Sequence, residues 1–144
     1  MDIINETDLE KTKLLIRRSS TPLIIKAQDL KYNRKLLEYG KFFALLLPTR
    51  QVKNRLRFLD SSINLIMARI AAKNKVSIAY NLSDIRSLDK EEKGQFLSTL
   101  KQNIRICSKA GCSIKLLDSA DKKNSFSLLT SLGASPSFAK KAIE

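Results

Sequence analysis

The sequence predicts a single α/β domain of parallel βα repeats, and three observations carry that prediction. Short apolar or β-branched runs, at 23–27, 42–47, 76–82 and 114–117, alternate with longer stretches of helical spacing. Most positions in these runs are apolar, as expected of strands covered on both faces in a parallel sheet. The chain has 144 residues, room for four such units, whereas a complete eight-stranded βα barrel needs about 250. An open doubly wound sheet and part of a barrel both satisfy these observations. In either one the functional face lies at the C-terminal ends of the strands.

The repeat is plainest from Ile63 to Ile85. Ile63, Ile66, Met67, Ile70 and Ala71 share one helical face, Lys73-Asn74-Lys75 breaks the helix, and Val76-Ser77-Ile78-Ala79-Tyr80 reads as a strand. Upstream, Thr7 with Glu10 three residues later forms a capping box for a helix to about Arg18. Leu9, the stem of Lys13 and Ile16 form its inner face, and Ser19-Ser20-Thr21-Pro22 stops it. After the first strand, Asp29 or Gln28 caps a helix from Leu30 to Tyr39 that Gly40 ends. The second strand leads into an irregular, strongly basic stretch from Pro48 to Leu59, and Asp60 or Ser61 opens the next helix.

Downstream, Asp89 caps a long helix to about Ala110, with Phe96, Leu97, Leu100, Ile104 and Cys107 inward and Gly111 as its terminator. The fourth strand, a polar loop and a helix from Ser125 to Leu132 follow, and Ser135-Pro136 opens a last short helix.

Twenty-seven Lys and Arg against 14 Asp and Glu leave a net charge of +13. The excess is spread through both halves of the chain, so it belongs to the domain. A small folded domain with this charge suits a polyanion, because neutralising phosphates releases their condensed counterions. There is no histidine, which removes the usual general base near neutral pH and every catalytic triad that depends on one. Cys107 and Cys112 lack metal or redox spacing and are expected to be free thiols. No apolar run is long enough to span a bilayer and no secretory leader is visible, so a cytoplasmic protein is expected.

Four segments, Leu23–Glu38, Ser61–Ile85, Leu100–Asp121 and Leu128–Gly133, resemble in order and spacing the TIM-barrel-like protein subunit of archaeal and eukaryotic ribonuclease P, the archaeal branch more closely. Asn33-Arg34 matches that family's Asn-Arg pair after a strand. Ala71 to Val76 matches its A-x-x-N-x-V pattern, and Lys109 to Leu117 with Ser119 and Ala120 matches a third pattern. Family members are longer and carry additional N-terminal strands. The resemblance therefore implies a shortened, partial barrel of about four strands, with a helix within residues 1–20 standing in place of the first ones. It also implies a non-catalytic subunit that binds and stabilises a catalytic RNA maturing the 5′ end of precursor tRNA. The expected partners are that RNA, a ferredoxin-like protein subunit and, indirectly, precursor tRNA. The protein itself is expected to bind no cofactor, with Mg²⁺ on the RNA.

The candidate RNA-binding residues follow from both lines of reading. Arg50, Lys53, Arg55 and Arg57 crowd the basic loop, Arg86 and Lys122-Lys123 follow later strands, and Asn33 and Arg34 come from the family match. The alternative from another class is a metal-dependent phosphoesterase of the related PHP-like superfamily, using strand-end Asp29, Asp84, Asp118 and Asp121. Such sites lean on histidine, and helix capping accounts for these carboxylates more simply. Few aromatics lie outside apolar runs, so backbone and shape recognition fits better than base stacking.

Overall fold

The structure, a computed structural model, describes residues 2–49, 63–118 and 121–144. Its centre is a five-stranded parallel sheet in the sequential order β1-β2-β3-β4-β5. The strands are β1 (Asp2–Ile4), β2 (Leu23–Lys26), β3 (Ala44–Leu46), β4 (Ser77–Asn81) and β5 (Ile114–Leu117). The helices are α1 (Leu9–Arg18), α2 (Leu30–Tyr39), α3 (Leu65–Lys73), α4 (Lys90–Ala110), α5 (Lys122–Ser131) and α6 (Pro136–Ile143).

The strand order settles what the sequence left open. A doubly wound sheet reverses direction at a switch point; here each strand lies beside its predecessor, as in a barrel wall. The strand residues pointing outward, among them Ile25, Leu45, Ile78, Tyr80 and Ile114, join helix residues such as Leu36, Met67, Phe96 and Leu100 in one core. Alternate residues point the other way: Ile24, Ala44, Leu46 and Ala79 form a smaller apolar cluster on the concave face. The fold is part of a TIM-like barrel. Among the described residues the sheet does not close, since β1 and β5 form its two edges.

There is one strand more than the four read from sequence. Residues 1–20 were expected to supply a helix alone, yet Asp2–Ile4 pairs in register with Leu23–Ile25. Three residues carry too little pattern to register as a strand. The chain enters α1 from this strand, and the N-cap is Asp8 and not Thr7: its carboxylate accepts from the amides of Glu10 and Lys11 at 2.9 and 3.3 Å. Thr12 and Ile16 are the buried residues of α1, and the Thr12 hydroxyl lies 2.7 Å from that of Tyr32.

The remaining boundaries follow local chemistry. Asp29 caps α2, and Asp89 with Glu92 forms a full capping box on α4. Asn64 caps α3; the Asp60 and Ser61 start lies outside the described residues. Asp121 caps α5, so that helix begins three residues before the expected Ser125. Ser135 and Pro136 open α6 as expected.

Candidate nucleic-acid interface

The C-terminal ends of the strands carry the loops in which the sequence placed the RNA-binding residues. Lys122 and Lys123 are exposed and occupy the first turn of α5. Cations there oppose the helix macrodipole, so local helix stability gives no reason for them. Arg86 is exposed at the end of a 3-10 turn, Leu82–Ser87, directly after β4. Arg34 is exposed on α2, its Nε 3.3 Å from the carboxylate of Glu38 one turn on. That pair is at the surface and adds little stability. Arg50, Lys53, Arg55 and Arg57 lie outside the described residues, as do Ser119 and Ala120 of the third family pattern.

Asn33 is not on that surface. It is fully buried, its Oδ1 accepting from the amide of Gln28 at 2.8 Å and its Nδ2 donating to the Gln28 carbonyl. An RNA contact was expected from the Asn-Arg match. The side chain instead closes the β2–α2 turn, the kind of local backbone bonding that favours Asn at such positions. Asn74, the asparagine of the A-x-x-N-x-V match, is likewise structural. Its amide donates to the carbonyls of Leu37 and Glu38 at 2.7 and 3.2 Å, tying the ends of α2 and α3 together.

The four strand-end carboxylates have separate occupations. Asp29 accepts from the amide of Tyr32 at 2.7 Å, and Asp121 accepts from the amide and side chain of Asn124. Asp84 lies in the first turn of the 3-10 segment. Asp118 holds φ at 56° and borders a concave-face cavity of about 360 Å³ with Ile24, Phe43, Asn81 and Lys115. Among the described residues no three Asp, Glu or Cys side chains gather closely enough to hold a metal ion.

The titratable groups with displaced pKa values are buried in the core. Burial pushes the Tyr80 phenol upward, partly offset by the hydrogen bond from Asn103. Burial likewise raises Tyr32, whose hydroxyl donates to the carbonyl of Glu6 at 2.8 Å. The free thiol of Cys107 is raised by its hydrogen bond with Cys112 and by burial. These groups belong to the packing of the domain. What the exposed rim offers is cations, Arg86, Lys122 and Lys123, interspersed with the strand-end carboxylates.

The sequence matches no family model. It is 24% identical over 105 residues to ribonuclease P protein component 3 of Methanococcus maripaludis (strain C7 / ATCC BAA-1331), and 26% identical over the same length to that of Methanococcus vannielii. The chain is similar to ribonuclease P protein component 3. The match takes in 73% of this chain and 43% of each relative, so the chain spans less than half the length of those relatives. A chain in the cryo-EM structure of archaeal ribonuclease P with mature tRNA superposes at a TM-score of 0.77 with 21% identity, over 97% of this chain and 62% of that one. The partial barrel is thus similar in fold to a chain of archaeal ribonuclease P, and Asn33 and Asn74 brace it from within. No helix of the described residues is long and apolar enough to cross a membrane.

Sequence reading overlooked a second set of cations at the opposite ends of the strands, of which Lys41 and Lys75 are the most prominent. Each follows directly on a helix-stop residue, Gly40 or Asn74. That local signal was available in the sequence.

Proposed function

We propose that this chain acts as a non-catalytic protein subunit of ribonuclease P, binding and stabilising the RNA that matures the 5′ ends of precursor tRNA. The similarity to ribonuclease P protein component 3 carries this reading. A net charge of +13 supports it independently of any relative, since it suits a phosphate backbone. In this account the RNA cuts, with Mg²⁺ bound to it. The protein supplies Arg34, Arg86, Lys122 and Lys123 to phosphates, with Arg50, Lys53, Arg55 and Arg57 alongside. A ferredoxin-like protein subunit is its expected protein partner and precursor tRNA its indirect one.

The test is binding to a structured ribonuclease P RNA and to an unrelated duplex across a salt series. A preference for the former that persists at physiological salt supports the proposal. Equal binding that vanishes with salt reduces the charge to a generic polyanion surface.

A further inference from the structure

Helices α1 to α4 all end at the N-terminal edge of the sheet, and there the described cations are least balanced. Arg17 and Arg18 close α1, Lys73 closes α3 and Lys109 closes α4, while Lys41 and Lys75 occupy the turns leading to β3 and β4. Glu38, the acidic residue in these last helical turns, faces Arg34. Each helix C-terminus presents about half a negative charge, which one nearby cation more than offsets. A positive surplus remains.

The surplus borders a concavity of about 440 Å³. Ser19, Ser20, Thr21, Lys41 and Lys75 line it over a floor of Phe42, and no described carboxylate is among its walls. Neither lysine is ion-paired with a described carboxylate. Asn74 sets the two turns against each other: a Cβ at Gly40 would stand 3.1 Å from that of Asn74. The residues that follow, Lys41 and Lys75, both take left-handed backbone, at φ 64° and 58°. That conformation is uncommon for lysine, and here it recurs in two neighbouring turns. The ammonium groups of Lys13 and Lys41 stand 5.5 and 5.6 Å from the Tyr39 ring. Of these two, Lys13 is paired with Glu10 at 3.6 Å, whereas Lys41 has no described carboxylate partner.

We propose that this pocket binds a phosphate group, held by Lys41 and Lys75 with the Ser20 hydroxyl and neighbouring donors. Resting on the ribonuclease P reading, the phosphate is one of an RNA backbone, so RNA is gripped at the N-terminal ends of the strands as well as at the rim opposite. A free phosphate shares the same chemistry, and the experiment separates the two sources.

The probe for the pocket is inorganic phosphate titrated into the ¹⁵N-labelled full chain, wild type and Lys41→Gly/Lys75→Gly. Glycine removes both charges while accepting the positive φ that alanine resists. Saturable shifts of the Ser20, Lys41 and Lys75 amides in the wild type, with the effect at Ser20 lost in the double variant, are expected. Shifts that do not saturate, or that persist at Ser20 in the variant, overturn the pocket.

The second arm measures the salt dependence of binding to a ribonuclease P RNA. Losing two phosphate contacts lowers the slope by about 2, whereas Lys93→Ala/Lys101→Ala on the exposed face of α4 leaves it unchanged. A slope unaltered by the glycine pair overturns the RNA assignment and leaves free phosphate as the source. If phosphate titrates the pocket but the wild type binds no RNA, the pocket stands and the ribonuclease P reading falls.

Discussion

Asn74 reaches from the end of α3 to the end of α2, donating its side-chain amide to the carbonyl of Leu37 at 2.7 Å and to that of Glu38 at 3.2 Å. The last carbonyls of a helix lack partners within the helix, so one side chain satisfies the end of one helix while terminating another. Replacing Asn74 with alanine is expected to cost about 1–3 kcal/mol, because partly buried acceptors lose their donor. Urea denaturation reads this as a lower midpoint with an unchanged m-value. An unshifted midpoint would show that the two helix ends hold together without it.

Asn33 makes the complementary case. Asn33→Ala removes both bonds across the β2–α2 turn and is expected to destabilise the fold by about 1–3 kcal/mol. The salt slope of RNA binding should stay as it is. If instead the slope falls while stability is untouched, Asn33 contacts RNA and its placement in the interior is wrong.

The N-terminal segment is bound in by a polar chain. Tyr32 donates to the carbonyl of Glu6 at 2.8 Å and meets the buried Thr12 hydroxyl at 2.7 Å. Tyr32→Phe should cost about 1 kcal/mol and speed proteolysis within residues 5–8 relative to the rest of the chain. Uniform proteolysis across the domain would place that stability elsewhere.

Tyr80 predicts a pH dependence. Burial raises its pKa above the ordinary 10.0, so the stability it contributes is complete below about pH 10 and is lost as pH climbs towards the folded-state value. Thermal unfolding between pH 8 and 11 should show wild-type stability falling at the alkaline end. Tyr80→Phe, which retains the edge-to-face contact with Phe96 at 5.6 Å, should fall less steeply. Parallel curves would assign the alkaline loss to other groups.

The repeat was legible because its signals are local. Apolar runs, Asp29, Asp89 and Ser135 as caps, and Gly111 in left-handed backbone all act within a few residues. What escaped needs distant partners. β1 is three residues long and exists by pairing with β2, and no periodicity reports a strand that short. Thr12 looks like a polar surface residue until Tyr32, twenty residues on, buries it. The candidate site divides in the same way. Charge identified the exposed Arg86, Lys122 and Lys123, whereas motif matching also selected Asn33, because a family pattern marks braces and contacts alike. Lys41 and Lys75 each follow a helix-stop residue, a local signal, but they lie at the N-terminal ends of the strands, away from the face where βα folds carry their sites.

The central claim is that this chain assists an RNA that does the cutting. Cleavage of a precursor tRNA, with the 5′ products resolved on a gel, tests it most directly across three Mg²⁺-containing mixtures. These are this chain alone, ribonuclease P RNA with the ferredoxin-like subunit, and those two together with this chain. The account predicts no cleavage by the chain alone and faster correct 5′ cleavage, at a lower Mg²⁺ concentration, when it joins the other two. Cleavage by the chain alone, or no gain on adding it, would contradict the account.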